Sequence, residues 1–153
     1  MIPATTTRVQ EHTDERINQA IRHQTEQNIQ YYAQDGRSRI DERLRALEHE
    51  WDMERMLEAN AAGASLMGLA LGRFTGRRWL ILPALVAGFL LQHAVQGWCP
   101  PVEVFRRLGF RTATEIETER YALKIIRGDF DNLTADGRLV SDRIGPILEA
   151  VKR

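Results

Sequence analysis

The sequence predicts an all-α fold organised around a membrane helical hairpin with flanking amphipathic cytoplasmic helices. Two nearly charge-free segments, residues 59–72 and 79–102, are separated only by Arg-Phe-Thr-Gly-Arg-Arg. Outside these two segments, no window of 14 residues lacks Asp, Glu, Lys and Arg. No strand-like alternation of apolar and polar residues outweighs the helical periodicity elsewhere.

Composition limits the classes of function. The 21 basic and 21 acidic side chains balance, so nothing in the charge favours a nucleic-acid partner. The single cysteine, Cys99, excludes an intrachain disulfide framework and a multi-cysteine zinc site. The N-terminal residues have no apolar run behind the first charge and do not resemble a signal peptide. We expect no metal and no cofactor.

The chain before the hairpin divides into a polar lead-in, residues 1–13, which we expect to be disordered, and a soluble helical region, residues 14–58. A helical pattern starts at Asp14, but its apolar stripe is too sparse to hold a helix alone in water. Asp35-Gly36 predicts a break, after which Ser38 can cap a second helix.

The second helix carries a seam of Ile40, Leu44, Leu47 and Trp51, spaced by four, three and four residues. No helix-ending residue follows the seam, so we predict one long helix over residues 38–72. Asp41 and Arg45, four residues apart, are predicted to pair on its surface.

The predicted hairpin, residues 59–98, has a short first arm with small residues every four positions. These helix-packing candidates are Ala64, Gly68, Gly72 and Gly76. Such a stripe lets another helix approach closely in a membrane. The partner is either the second arm of the same hairpin, which we favour, or another subunit. The 14 uncharged residues of this arm span ~21 Å. The arm can therefore cross the bilayer fully only if the charged residues at its ends reach the interfaces or the bilayer is locally thinner, and the alternative is a re-entrant arm.

The second arm has the length of a membrane span. Trp79 and Trp98 lie 19 residues apart, or ~28 Å along a helix, which suits two membrane interfaces. Pro83 falls in the first turn, where its missing N–H costs little. His93 and Asn60 are candidate polar groups inside the membrane. His93 needs a partner, which Gln92, Gln96 or Asn60 could supply, and Asn60 could join the two arms.

Residues 99–153 are predicted to form C-terminal amphipathic helices and a tail. Gly97 to Pro101 ends one helix and starts another, and Gly109 closes this short helix. A capping box at 114–117 predicts a helix that reaches Arg127. A last helix is predicted from Pro146. Seven arginines flank the arms and three lie in the turn, which favours cytoplasmic termini.

Two short motifs carry a family resemblance. Gly97-Trp98-Cys99-Pro100 is followed by Leu108-Gly109-Phe110-Arg111-Thr112. With the glycine-containing arms before it, this stretch resembles the YgaP-like transmembrane domain family, small two-helix hairpins of bacterial inner membranes, over residues 60–114. The resemblance implies a membrane hairpin with cytoplasmic termini and no assigned chemistry. Some members add a rhodanese domain, but this chain lacks a second cysteine and such a domain, so sulfur transfer does not carry over.

Cys99 is the candidate thiol. It could accept sulfur, ligate haem or be palmitoylated, although filling a helix-terminating turn is the favoured interpretation. A helix C-terminus raises a thiol pKa, and nearby Arg106 and Arg107 would oppose that effect. No phosphate loop, Gly-x-Ser-x-Gly or His-Glu-x-x-His motif occurs.

These observations favour a non-enzymatic bacterial inner-membrane protein, a structural or accessory binding subunit. Its expected partners are the lipid bilayer and either further copies of itself or another membrane protein. The alternatives are a thiol-dependent redox or sulfur-handling protein that uses Cys99, and a soluble helical oligomer that buries the hairpin.

Overall fold

The structure, a computed structural model, describes residues 4–34, 36–131 and 140–152, and every regular element in these ranges is a helix. The elements in chain order are α1 (Arg8–Glu11), α2 (Glu15–Gln34), α3 (Arg37–His49), α4 (Met53–Phe74), the 3-10 helix η1 (Arg77–Leu80), α5 (Ile81–Gln96), α6 (Pro100–Arg107), α7 (Ala113–Arg127) and α8 (Val140–Lys152). The predicted all-α class is confirmed.

The helices form two compact units that interleave along the chain. Unit 1 contains Met1–Gln24 and Trp51–Ile116, and unit 2 contains Thr25–Glu50 and Glu117–Arg153. Both units therefore collect residues from before and after the apolar stretch, and α2 and α7 each contribute to both. This division differs from the linear segments 14–58, 59–98 and 99–153 expected from composition.

The N-terminal segment is more ordered than its composition suggests. Residues 8–11 of the expected disordered lead-in form α1, and Val9 is buried. Thr13 is also buried, and its hydroxyl donates to the carbonyl of Val9 at 2.7 Å. One apolar side chain docked in a core is enough to fix a short segment that has no periodicity of its own.

The break between α2 and α3 lies where the sequence predicts it, but its cap differs. Gly36 has φ 84°, a left-handed backbone that favours glycine, and it immediately precedes α3. Ser38 therefore lies inside the first turn of α3 and is not its N-cap.

The predicted long helix over residues 38–72 is wrong. α3 ends at His49, Glu50 is extended, and α4 starts at Met53 with Asp52 as its N-cap. The Asp52 side chain accepts from the N–H of Arg55 at 2.8 Å, and the N–H of Met53 donates to the carbonyl of Arg111 at 2.8 Å. These two bonds satisfy N–H groups that are left without partners at the start of a helix. They therefore favour a new helix at Met53 over a continuous one.

Unit 2 holds the seam of α3, with one change. Ile40, Leu44 and Leu47 are buried, whereas Trp51, beyond the end of α3, is 42% exposed. The predicted pair between Asp41 and Arg45 does not form as an ion pair. Arg45 Nε instead donates to the backbone carbonyl of Asp41 at 3.3 Å, and the Asp41 carboxylate accepts from Arg127 at 2.5 Å.

An ion pair between the partly buried Arg43 and the buried Glu119 joins α3 and α7 within unit 2. Arg43 donates Nε to Glu119 Oε1 at 2.7 Å and Nη2 to Glu119 Oε2 at 3.1 Å. Burial disfavours the charged guanidinium, but the bonds and charge of Glu119, with the charge of Glu50, outweigh it and raise the pKa of Arg43. Leu123 packs fully buried on the same helix.

The C-terminal elements begin earlier than predicted. Thr112 and Glu115 make the capping box of α7: the N–H of Thr112 donates to Glu115 Oε2 at 2.8 Å, and the N–H of Glu115 donates to Thr112 Oγ1 at 3.3 Å. The box predicted at 114–117 is thus wrong by two residues. α7 ends at Arg127 as predicted, and α8 starts at Val140 with Pro146 inside it.

The core of unit 1 lies where α4 begins and α5 ends, an end of the helix pair that we call the base. Its buried side chains are Val9, Met53, Leu57, Cys99 and Val102, against which Leu90, Phe105 and Phe110 pack. The opposite end, residues 73–79, is called the tip. The buried side chains thus gather at one end of the pair.

Candidate functional site

α4 packs against η1 and α5 at glycine positions. A Cβ atom at Gly68 would lie 2.6 Å from Pro83 Cδ, and one at Gly72 would lie 2.6 Å from Leu80 Cδ2. No larger side chain fits at such distances without displacing its neighbour. In the structure, these two glycines therefore serve packing within the chain.

The other two residues of the small-residue stripe lie differently. Ala64 is half-buried, and a Cβ at Gly76, in the turn before η1, would meet nothing within 4 Å. The same open space surrounds Gly63 on α4 and Gly88 on α5. These open positions leave room for a further helix to approach.

Most of the pair is apolar and uncovered. Its exposed large hydrophobic side chains include Leu66, Met67, Leu69, Ile81, Leu85, Phe89, Leu91 and Val95. The segment Arg77–Gln96 is the one helical segment of the described residues that is long and apolar enough to cross a membrane, and only 6% of its most apolar 18 residues are buried. A core helix of a soluble protein passes the same test of length and composition, but it is mostly buried.

Tryptophans lie at both ends of this segment. Trp79 is in η1 and Trp98 follows the end of α5, and both are partly exposed. Trp51, just before α4, is a third exposed tryptophan at the base, with the Arg55 guanidinium 4.6 Å from its ring centroid. The sequence pattern had assigned Trp51 to the α3 seam.

The side chains of Arg8, Glu54 and His93 form a polar cluster at the base. His93 is 3% exposed, and its Nε2 lies 2.9 Å from Glu54 Oε2. Arg8 Nη2 donates to Glu54 Oε1 at 3.0 Å. The partner of His93 is thus a carboxylate 39 residues away on α4, rather than Gln92, Gln96 or Asn60.

The cluster favours the ionised form of the Glu54 carboxylate. The hydrogen bonds from His93 and Arg8, with the positive charge of Arg8, outweigh the cost of partial burial and lower the pKa of Glu54. An ionised carboxylate only accepts hydrogen bonds, so His93 Nε2 carries the hydrogen. His93 Nδ1 is buried without a hydrogen-bond partner among the described residues.

Arg8 also closes the end of α5. Its Nη1 donates to the carbonyl of Ala94 at 3.1 Å, one of the carbonyls that a helix C-terminus leaves open. Gly97 follows with φ 78°, and a Cβ there would lie 2.5 Å from the Cβ of Arg8. Both the left-handed backbone and the close approach require glycine at this position.

Asn60 does not join the two arms. It is exposed, and its Nδ2 donates to the carbonyl of Met56 at 2.8 Å, one turn earlier on the same helix. Its amide is therefore satisfied within α4.

Cys99 is a packed side chain in the core of unit 1. It is 1% exposed and occupies the N-cap position of α6, with Pro100 at the first helical position. Burial, with the nearby charge of Glu54, raises the pKa of the thiol, although a backbone bond with Val102 opposes the shift. The arginines expected to oppose a rise in the pKa of Cys99 bond elsewhere: Arg107 pairs with Glu103 on the surface at 2.9 Å.

Arg106 anchors a second polar network at the base that sequence reasoning missed. It is 1% exposed and donates to both oxygens of Glu115 at 2.7 and 2.9 Å and to Asn18 Oδ1 at 2.8 Å. Burial opposes the charge of Glu115, but the bonds from Arg106 and the N–H of Thr112 prevail and lower its pKa. The available signal was Thr112-x-x-Glu115, which has the spacing of a capping box.

The described residues contain no group of three or more His, Cys, Asp and Glu side chains placed to hold a metal ion. No protein-family model, no curated protein and no solved structure matches this chain.

Proposed function

We propose that this chain is a non-enzymatic protein of the bacterial inner membrane, in which α4 and η1–α5 form the membrane hairpin. It serves as a structural or accessory binding subunit, through self-association or within a larger membrane complex. The observation that carries the proposal is the exposed apolar surface of the pair, which no described part of the chain covers. Lipid removes such a surface from water.

The lengths of the two arms support a span. The 20 residues of Arg77–Gln96 rise ~30 Å, close to the hydrocarbon thickness of a bilayer. α4 is 22 residues long and rises ~33 Å, although its uncharged part is shorter. Glu54 lies before the uncharged part and is bonded to Arg8 and His93, which suits a position at an interface.

The resemblance to the YgaP-like family fits the same proposal. Gly97 supplies a left-handed turn, Cys99 fills the core and Thr112 caps α7. Each of these motif residues has a packing or capping task at the base. On this interpretation, the motif residues form the structural end of a membrane hairpin and not a reactive centre. This agrees with the absence of an assigned chemistry in the family.

Self-association is supported by the small residues that remain open. Gly68 and Gly72 are occupied by contacts within the chain, whereas Gly63 and Gly88 face open space. A helix of a second copy can approach the backbone at such positions. Light scattering of the detergent-purified protein tests this: Gly88→Leu should lower the mass of the assembly, while Leu91→Ala, at an exposed apolar position, should not.

Membrane fractionation tests the placement. The intact protein should stay in the membrane pellet after a carbonate wash and should enter detergent extracts together with its partners. Release by carbonate would overturn the proposed span. A detergent-free, monodisperse assembly would instead support the soluble oligomer that buries the pair.

A further inference from the structure

The tip of the helix pair carries positive charge that no carboxylate among the described residues neutralises. Arg73, Arg77 and Arg78 are exposed. Residues 59–102 contain no Asp or Glu. No carboxylate that the structure describes pairs with any of the three guanidinium groups. The tip is therefore a local cationic patch on a chain whose formal net charge is zero.

Exposed aromatic and aliphatic side chains surround this charge. Phe74 is 84% exposed, with the Arg73 guanidinium 5.9 Å from its ring centroid. Trp79, Leu80 and Ile81 follow Arg78 directly in the chain, and all three are exposed. A cationic rim beside apolar rings and aliphatic side chains matches the chemistry of a membrane interface, where phosphate groups lie next to hydrocarbon.

The tip lies a full membrane thickness from the base. α4 runs from the N-cap Asp52 at the base to Phe74 at the tip, and its 22 residues rise ~33 Å along the helix. If the base lies at one headgroup layer, the tip reaches the other. The three arginines then have phosphate oxygens as their nearest acceptors.

We infer that the tip binds the headgroups of anionic phospholipids, with Arg73, Arg77 and Arg78 donating to phosphate oxygens and Trp79 lying at the boundary of the acyl chains. The inference rests on the proposed membrane function. Guanidinium groups form paired hydrogen bonds with phosphate, and an anionic lipid supplies the net negative charge that the tip lacks. A nucleic acid would satisfy the arginines but leave Phe74 and Ile81 in water.

Fluorescence quenching in reconstituted vesicles tests the inference. A Trp51→Phe/Trp98→Phe background leaves Trp79 as the reporter at the tip, and a Trp51→Phe/Trp79→Phe background leaves Trp98 at the base. The full chain is placed in phosphatidylcholine vesicles that contain acyl-chain-brominated phosphatidylglycerol or brominated phosphatidylcholine. The measured quantity is the ratio of quenching by the anionic lipid to quenching by the zwitterionic lipid.

The expected result is a preference of Trp79 for the brominated anionic lipid of about fivefold or more, which is the factor expected for one arginine near an anionic surface. The ratio should fall to about one in Arg73→Gln/Arg77→Gln/Arg78→Gln and should decline in high salt. The matched control Arg16→Gln/Arg22→Gln/Arg107→Gln removes as many exposed charges outside the tip and should leave the ratio unchanged. A Lys triple variant of the tip keeps the charge and should keep most of the preference.

Two results would overturn the inference: equal quenching of Trp79 by both lipids, or a preference that survives the Gln triple variant. Failure of the proposed function has a different signature. In that case neither brominated lipid quenches Trp79 or Trp98, because the chain has not entered the bilayer.

Discussion

The base and the tip of the α4–α5 pair use arginine in opposite ways. At the base, Arg106 is buried with Glu115 and Asn18, and Arg8 bonds to Glu54. At the tip, the guanidinium groups are exposed and pair with no described carboxylate. The base therefore satisfies its charges inside the protein, and the tip leaves its charges to the surroundings.

This difference separates residues that hold the fold from residues that meet the environment. A buried charge that loses its partner destabilises a protein by several kcal/mol, whereas an exposed charge without a partner contributes little. Substitutions at the base should thus change the free energy of unfolding. Substitutions at the tip should change the interaction with lipid and leave the stability nearly intact.

The largest effect is expected at Arg106. Arg106→Met keeps much of the side-chain volume but leaves the partly buried Glu115 without its counter-charge, so the free energy of unfolding should fall by about 3 kcal/mol. Thermal unfolding of the detergent-purified protein measures the loss. Arg107→Met is the matched control, since its pair with Glu103 is exposed, and it should cost less than about 1 kcal/mol.

A double substitution sharpens this prediction. Glu115→Gln in the Arg106→Met background removes the uncompensated charge and should recover part of the lost stability. If Arg106→Met and Arg107→Met behave alike, the buried network at the base does not stabilise the fold.

A smaller effect is expected where the two helices touch. Gly68→Ala places a Cβ 2.6 Å from Pro83 Cδ and should destabilise the pair by about 1–2 kcal/mol. Gly63→Ala is the control on the same helix: its Cβ meets open space, so the better helix propensity should stabilise by about 0.5–1 kcal/mol. If Gly68→Ala lowers the unfolding temperature and Gly63→Ala raises it, the packing contact is confirmed. Shifts in the same direction would contradict it.

The Glu54 cluster predicts a pH dependence. Since folding lowers the pKa of Glu54 below its ordinary value of 4.5, its stabilising contribution is complete above that pH and is lost as the pH falls through the folded-state value. Glu54→Gln should therefore be less stable than the native chain at neutral pH, by about 1 kcal/mol because the carboxylate is partly exposed.

Unfolding temperatures of both proteins across the acidic range measure this dependence. The difference between them should shrink as the pH falls below 4.5, where the carboxylate of the unfolded chain takes up a proton, and should level off below the lowered pKa of the native carboxylate. A difference that stays constant with pH would mean that Glu54 contributes through packing rather than through its charge.

The sequence predicted the elements whose signals are local. The apolar arms, the break before α3 at Gly36 and the turn at Gly97 follow from composition and from glycine, and the structure has them at those places. A local signal gave the wrong start for α7, because two capping-box patterns overlap there. Thr112-x-x-Glu115 and Thr114-x-x-Glu117 both fit a capping box, and Arg106 selects the first by binding Glu115.

The contacts between distant residues could not be predicted. The break before α4 depends on the bond from Met53 to the carbonyl of Arg111, and the partner of His93 is Glu54 on the other helix. Neither pairing leaves a periodic trace in the sequence. Asp52 was the missed local signal, because an Asp three residues before Arg55 can cap a helix.

The smallest change in stability is expected at the tip. Arg73→Gln/Arg77→Gln/Arg78→Gln removes three charges that pair with no described carboxylate, so the unfolding free energy in a zwitterionic detergent should change by less than about 0.5 kcal/mol. In an anionic detergent the native chain should gain stability over the variant, because only its tip carries the charge that binds the headgroup. A large loss in the zwitterionic detergent would place the tip arginines among the residues that hold the fold, and the contrast between base and tip would not stand.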